Sequence, residues 1–321
     1  LTTEEPVHAF PPGVYDNFIL LGQSAAFSGP AAELGKELRR GAALYFDYIN
    51  LHGGVHGRNI FLLSLDDGYE PERTIANTRQ LIEQDRVFSL FGYVGTPTSK
   101  AALPLFNEAQ IPFFAPFTGA ELLRDPFNPY VFNVRASYYQ ETEALVAWLF
   151  DKGIKNIAVF HQDDSYGRAG LSGVQRALVK RRLRVSGTAT VQRNSADVEA
   201  AVKRLSALKP GAIIMISAYA SCAEFIRQAK NAGLDSYFLN VSFVGSKSLA
   251  TDLWTQGRGV IVSQVVPFPG DDSISVVKEY QETLQFFSSQ SPISYVSLVG
   301  FIAAKVFVEG LQAAGRNLTR D

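Results

Sequence analysis

The amino-acid sequence predicts an α/β fold in which two doubly wound parallel-sheet lobes enclose a cleft. Short apolar strands alternate with amphipathic helices along most of the 321 residues, a pattern typical of parallel sheets covered by helices on both faces. The alternation starts afresh near residue 133. An apolar content of 46% is sufficient for two buried cores in a chain of this length. These observations together predict two lobes of similar construction.

The stretch 27–58 contains the first complete unit. Pro30 follows the apolar run at 18–22 and suits the first turn of a helix, where no backbone donor is needed. The helix ends at Gly53 and Gly54. One apolar stripe runs along it, formed by Leu34, Leu38, Ala42, Tyr45 and Ile49.

The same alternation predicts the remaining elements. Candidate strands lie at 18–22, 60–65, 87–92, 113–116, 157–161, 184–191, 212–217, 237–240 and 259–264. Candidate helices lie near 70–84, 98–109, 137–152, 166–182, 197–207 and 221–232.

We expect the chain to cross between the lobes twice, at hinges near 133–137 and 264–267. Two further helices, at 274–287 and 293–314, have no strand of the second lobe left to cover, so we expect them to return to the first. These crossings predict a lobe 1 of residues 1–134 plus 266–314 and a lobe 2 of residues 135–265 plus 315–321.

Composition and motifs argue against several classes of protein. A net charge of −1 does not favour binding to nucleic acid or to an anionic membrane. Hydrolase, zinc and phosphate-loop signatures are missing from the sequence. His52 and His56 are separated by glycines that break the helix needed to align two metal ligands. Cys222 is expected to be a small buried side chain. We therefore expect a protein without enzymatic activity, cofactor or metal.

Seven motifs, in order, resemble the type I periplasmic binding proteins of the leucine/isoleucine/valine-binding type. They are LGQSAAFSGPAAELG (21–35), YINLHGGVHGRNI (48–60), DDGYEP (66–71), FGYVGTPTSKAALPL (91–105), IPFFAPFTGA (111–120), HQDDSYGRAG (161–170) and FIRQAKNAGL (225–234). Each is weak alone, but their order and spacing cover nearly the whole chain. The resemblance implies a secreted two-lobed protein that closes on a small ligand without turnover.

The resemblance also implies a set of ligand-binding residues. Thr96 and Thr98 lie at one strand-to-helix turn and Thr118 at another, where hydroxyls and helix N–H groups can bind a carboxylate. A purely structural role as helix caps is an equal alternative for these threonines. The other expected contacts are Ser24, Leu34, Tyr93, Phe117, Tyr166, Tyr219, Ser242 and Phe243.

Two positions depart from the amino-acid binders of this family. Ser242 stands where those proteins supply a carboxylate for the ligand ammonium, and burying an ammonium without a counter-charge is costly. A standard α-amino acid therefore requires another acid, such as Asp163 or Asp164, to reach the ligand. Leu34 stands where an aromatic ring is usual.

The expected function is that of a periplasmic receptor whose signal peptide is not in this chain. It would deliver an amino acid-like, aromatic or aliphatic carboxylate to the membrane permease of an ABC importer. The alternative is a sensory ectodomain of the same fold, fused to a signalling module of a membrane-bound kinase or cyclase. That alternative is suggested by the end of the chain at Asp321, before further elements usual in the family.

Overall fold

A computed structural model describes residues 10–320, which form two parallel five-stranded sheets. The strands of lobe 1 are β1 (Phe18–Ala25), β2 (Asn59–Asp66), β3 (Ser89–Phe91), β4 (Phe113–Phe114) and β5 (Val131–Phe132). Their order in the sheet is β2-β1-β3-β4-β5. The helices between them are α1 (Ala32–Leu51), α2 (Pro71–Arg79), which a π-helical turn at Gln80–Gln84 prolongs, and α3 (Thr96–Glu108).

Lobe 2 repeats this construction. Its strands are β6 (Ile157–Gln162), β7 (Thr188–Val191), β8 (Ala212–Ile216), β9 (Tyr237–Asn240) and β10 (Ile261–Val262), in the order β10-β9-β8-β6-β7. Its helices are α4 (Tyr138–Asp151), α5 (Ser165–Val179), α6 (Glu199–Leu208), α7 (Tyr219–Asn231) and α8 (Ser246–Leu253). The predicted fold class of two doubly wound parallel-sheet lobes is confirmed.

The last two helices, α9 (Ser275–Ser288) and α10 (Tyr295–Ala314), pack on lobe 1. Helix α10 lies so close to α1 that a Cβ atom added to Gly300 would come within 2.1 Å of the carbonyl oxygen of Leu38. By length and composition α10 is apolar enough to span a membrane, but 56% of its apolar window is buried inside the protein. Its apolar character is that of a core helix, which the close contact with α1 explains.

The tail after α10 contacts lobe 1 as far as residue 320, which corrects the expected assignment of 315–320 to lobe 2; Asp321, also expected there, lies outside the described residues. The carbonyl oxygen of Arg316 accepts a 2.6 Å hydrogen bond from Arg58. Leu318 is buried in the core of lobe 1, and the guanidinium of Arg320 donates to the carbonyl oxygen of Val87 at 2.7 Å. Described contacts up to residue 320 therefore hold this segment on lobe 1.

The two lobes meet along the carboxyl ends of their sheets. Leu34, Tyr69 and Phe117 of lobe 1 belong to the same buried apolar cluster as Tyr166 and Phe243 of lobe 2. The cluster is continuous across the cleft, so the structure is that of a closed pair of lobes.

Candidate functional site

Four aromatic rings from the two lobes converge in the middle of the cleft. Phe243 lies in the turn after β9, and its ring centroid is 4.6 Å from that of Tyr166, 5.5 Å from that of Phe117 and 6.0 Å from that of Tyr69. All four side chains are at least 98% buried. Rings at these separations form a water-excluding wall that can cover the apolar body of a small ligand.

A row of hydroxyl groups lies beside these rings. The Oγ1 atoms of Thr96 and Thr118 are 2.7 Å apart, and the Thr118 hydroxyl donates to the Tyr138 hydroxyl at 3.3 Å. Thr96 is the first residue of α3, where backbone N–H groups have no partner within the helix. The three hydroxyls thus join both lobes at the positive end of a helix dipole, a suitable place for an anionic group.

Thr98, two residues further along, points elsewhere. Its hydroxyl donates to the carbonyl oxygens of Val94 at 2.5 Å and Gly95 at 2.9 Å. These bonds tie the first turn of α3 to the preceding loop. The geometry agrees with the structural alternative for Thr98 and leaves Thr96 and Thr118 as the hydroxyls that meet at the cleft.

Arg135, in the first interlobe segment, brings a buried positive charge to the site. The carbon of its guanidinium lies 4.6 Å from the ring centroid of Phe117, a cation–π contact. One nitrogen, Nη2, donates to the Ser242 hydroxyl and lies 3.4 Å from the Glu141 carboxylate. The Nε and Nη1 atoms are buried without a hydrogen-bond partner among residues 10–320. Buried guanidinium donors are costly to leave unpaired, so these two nitrogens mark a place for an acceptor.

Glu141 of α4 supplies an acid next to Ser242, the position where the sequence lacks one. Its Oε2 atom accepts 2.7 Å hydrogen bonds from the Ser242 backbone N–H and the Ser263 hydroxyl. Its Oε1 atom faces Arg135 at 3.4 Å. The two acids that the sequence suggested do not take this place. Asp164 caps α5 by accepting from two backbone N–H groups, and Asp163 pairs with Arg168 on the surface.

Tyr166 and Tyr69 carry hydroxyls into the aromatic cluster. The Tyr166 hydroxyl has no partner within the described part of the chain, and burial raises its pKa well above the usual range. The Tyr69 hydroxyl accepts a 3.3 Å hydrogen bond from Gln162 across the cleft. Both phenols are therefore neutral groups at physiological pH, available to donate or accept hydrogen bonds.

Comparison with known proteins identifies the family. The model of the periplasmic binding protein family matches residues 19–321. This chain belongs to that family.

Solved structures of this type resemble this periplasmic binding protein along nearly its whole length. A possible leucine/isoleucine/valine-binding protein from Rhodopirellula baltica SH 1 is 36% identical, covers 97% of this chain and 85% of its own, and superposes with a TM-score of 0.91. A substrate-binding periplasmic protein from Ralstonia solanacearum is 32% identical, with coverages of 94% and 86% and a TM-score of 0.89. Among curated proteins, Leu/Ile/Val-binding protein homolog 7 of Brucella suis is 26% identical over 91% of this chain and 76% of its own length.

The other residues expected to bind ligand fall into two groups. Leu34 and Tyr219 meet at the cleft around Gly245, because a Cβ atom there would lie 2.7 Å from Leu34 Cδ2 and 3.9 Å from Tyr219 Cδ1. The Tyr219 hydroxyl also accepts a 3.4 Å hydrogen bond from the backbone N–H of Glu33 across the cleft. These two side chains are placed to line one side of the site.

Ser24 and Tyr93 do not fit the expected role of ligand contacts. The Ser24 hydroxyl donates to Asp67 at 2.7 Å and accepts from Asn77. The Tyr93 hydroxyl lies 3.1 Å from that of Thr78, and its ring packs on Phe113 in the interior of lobe 1. Both hydroxyls are committed to buried bonds within lobe 1, so we remove these two residues from the candidate site.

Two sets of ion pairs hold the lobes together at the rim of the cleft. On one side, Arg193 of lobe 2 lies 2.7 Å from Glu70 of lobe 1 and 3.4 Å from Asp164. On the other side, Lys247 of lobe 2 lies 2.6 Å from Glu37 of lobe 1. The Arg193–Glu70 and Lys247–Glu37 pairs join the two lobes, whereas the Arg193–Asp164 contact lies within lobe 2.

Arg135, Tyr138, Glu141 and Tyr69 were not expected at the site. The sequence places Arg135 only in the interlobe crossing. A charged residue in an extended segment between two lobes could nevertheless have indicated a group that faces the cleft. Tyr69 lies within the motif DDGYEP, which identified the family but not the side chain. No group of three or more His, Cys, Asp or Glu side chains within residues 10–320 is placed to hold a metal ion.

Proposed function

We propose that this protein is an extracytoplasmic solute-binding protein that captures a small organic carboxylate between its lobes and delivers it to the permease of an ABC importer. The observation that carries this proposal is the buried guanidinium of Arg135, two nitrogens of which have no partner among residues 10–320, beside aromatic rings from both lobes. A charge and an apolar wall together fit an amphiphilic ligand with an anionic end.

The remaining polar groups support a carboxylate. Hydroxyls of Thr96, Thr118 and Tyr138 form a row. Burial raises the pKa of the Tyr138 phenol, and the positive charge of Arg135 offsets part of that rise. Charge-assisted hydrogen bonds in a site without water are stronger than neutral ones, which favours an ionised ligand group. The rings of Phe117, Tyr166 and Phe243 would cover its apolar part.

The ion pairs across the cleft support a protein that closes on its ligand and opens to release it. The rim pairs Glu70–Arg193 and Glu37–Lys247 form across the cleft, and hinge opening would break them. Closure by hinge motion replaces contacts with solvent by such rim contacts. A permease that recognises both lobes at once would then respond only to the loaded, closed form.

Ligands named for structures of the same fold suggest which compounds to screen. An ABC transporter solute-binding protein from R. palustris was solved in complex with benzoate, and LivJ from Streptococcus pneumoniae was solved in complex with isoleucine. A third structure of the same fold is that of a fatty acid ABC transporter substrate-binding protein from Thermomonospora curvata. Members of the family are extracytoplasmic, and we place this protein in the periplasm as well.

A thermal-shift screen against amino acids, aromatic acids, aliphatic acids and purines tests the binding step. A ligand that binds only the folded protein raises Tm with its concentration. We expect a carboxylate to do so, and to be recovered unchanged after prolonged incubation. The proposal fails if no compound shifts Tm, or if the protein converts the ligand to product. Uptake of the ligand by cells with and without this protein then tests delivery, and equal uptake would contradict it.

A further inference from the structure

We infer that the ligand is a monocarboxylate with an apolar body and no ammonium group, and is therefore not an α-amino acid. This inference rests on the proposed function and narrows its substrate class. The geometry that carries it is the distribution of charge around the aromatic cluster formed by Tyr69, Phe117, Tyr166 and Phe243.

The cation at this cluster has unused binding capacity. Arg135 is 93% buried and stacks on Phe117. It uses only Nη2 for Ser242 and Glu141, whereas Nε and Nη1 lack partners within residues 10–320. A guanidinium carries five N–H donors and accepts no hydrogen bond. What this group lacks is a hydrogen-bond acceptor, and a carboxylate supplies one with the complementary charge.

The acids near the cluster are already committed. Glu141 accepts from Ser242 and Ser263 through Oε2 and faces Arg135 through Oε1. Asp164 accepts from the backbone N–H groups of Tyr166 and Gly167 through Oδ1. Its Oδ2 accepts from Gln162 at 2.5 Å and lies 3.4 Å from Arg193. Each carboxylate thus has a protein cation beside it.

An ammonium group would find no favourable place in this arrangement. It could approach Oε1 of Glu141, but the same oxygen lies 3.4 Å from Nη2 of Arg135. The ligand cation would stand next to a buried protein cation, and like charges repel strongly where water is excluded. The other groups at the cluster, the hydroxyls of Tyr166 and Tyr69, are neutral. A carboxylate supplies the acceptor that Nε and Nη1 of Arg135 lack, whereas a zwitterion also needs an acceptor for its ammonium, and the carboxylates of Glu141 and Asp164 already have protein cations beside them.

Matched pairs of ligands that differ only in the amino group test this inference. We would titrate the purified protein calorimetrically with 3-phenylpropanoate against L-phenylalanine, and with 4-methylpentanoate against L-leucine. The deaminated member of at least one pair is expected to bind at least tenfold more tightly than its amino acid. Tighter binding of the amino acids would overturn the inference and leave the proposed function standing. Binding of neither pair, together with an unresponsive thermal-shift screen, would overturn both.

The substitution Glu141→Gln provides a second test of whether the ligand is a simple carboxylate or an amino acid. If the ligand is a simple carboxylate, this variant leaves it as the only counter-charge for Arg135, so the ligand-induced rise in Tm should be at least as large as in the wild type. If Glu141 instead receives an ammonium, the variant should lose at least tenfold in affinity for the amino acid. Lys180→Gln, which removes a surface pair with Glu143 within lobe 2, is the matched control and should change neither value. Two results together would overturn the inference: the wild type binds the amino acids, and Glu141→Gln, unlike Lys180→Gln, no longer binds the carboxylate.

Discussion

The carboxylate of Glu70 in lobe 1 lies 2.7 Å from the guanidinium of Arg193 in lobe 2, so that one ion pair ties the lobes together at the rim of the cleft. The neighbouring Asn194 donates to the same carboxylate at 2.7 Å and to the carbonyl oxygen of Gly68 at 2.9 Å. Contacts of this kind stabilise the closed form without touching a ligand inside it. We therefore expect them to slow the release of a bound ligand.

Arg193→Gln should accelerate ligand release. The pair is partly exposed, so its loss should cost about 0.5–1 kcal/mol of closed-state stability, which corresponds to about a two- to fivefold faster dissociation. Stopped-flow fluorescence with a ligand found in the thermal screen measures this rate. Arg181→Gln removes the pair with Glu143 inside lobe 2 and should leave the rate unchanged. Equal rates in wild type and Arg193→Gln would show that the rim does not hold the lobes together.

Thr96→Val and Thr118→Val should each weaken the binding of a carboxylate by about 1–3 kcal/mol. Each substitution removes one hydroxyl from the buried row and leaves a side chain of nearly the same shape. Thr98→Val is the matched control. Its hydroxyl donates to the carbonyl oxygens of Val94 and Gly95, so the variant should lower Tm without changing ligand affinity. Calorimetric titration of all three variants provides the comparison. Unchanged affinity in both Thr96→Val and Thr118→Val would mean that the carboxylate does not bind at this row of hydroxyls.

Asp67 should make the stability of lobe 1 depend on pH. Burial raises its pKa from 3.8 to about 6 despite hydrogen bonds from Ser24, Tyr69 and Thr74. Because the folded-state pKa lies above the unfolded value, the folded protein holds the extra proton. The stability that Asp67 contributes is full below about pH 4 and is lost as the pH rises through about 6, by about 3 kcal/mol in total.

Asp67→Asn removes this proton and keeps the shape of the side chain. The free energy of unfolding, measured with urea at intervals between pH 4 and pH 7, should fall more steeply with pH in the wild type than in the variant. Parallel curves for the two proteins would contradict a raised pKa at Asp67.

Two glycines on α10 should respond in opposite ways to alanine. Gly300→Ala places a Cβ atom 2.1 Å from the Leu38 carbonyl oxygen of α1, and relief of that clash should cost at least about 2 kcal/mol. Gly310→Ala meets nothing within 4 Å, so helix propensity should dominate and raise stability by about 0.5–1 kcal/mol. Urea unfolding of both variants tests whether α10 is packed on lobe 1. Destabilisation of similar size in both would mean that α1 and α10 do not approach so closely.

Helices and strands with a clear apolar periodicity in their own residues can be predicted from the sequence. The return of α9 and α10 to lobe 1 followed from the lack of strands for them to cover. Short or polar elements were missed, among them β5 (Val131–Phe132), which follows Asn128-Pro129 and was interpreted as part of a crossing. Helix α8 (Ser246–Leu253) was missed because its apolar stripe is short. The tail after Ala314 carries no periodic signal, and its packing on lobe 1 depends on distant partners such as Arg58.

The site shows the same limit. Thr96 and Thr98 are the same residue type two positions apart, and only the helix geometry decides that one faces Thr118 and the other its own backbone. The role of Arg135 depends on Ser242, which is 107 positions away in the sequence. Such pairings are set by the closure of the two lobes, and no local pattern of residues encodes them.

A crystal structure of the protein with the tightest-binding carboxylate from the screen tests the central claim most directly. The ligand carboxylate should lie within hydrogen-bond distance of Arg135 and of Thr96 or Thr118, with its apolar part between the rings of Phe117 and Tyr166. A ligand bound outside the cleft, or one whose carboxylate points away from Arg135, would contradict the claim.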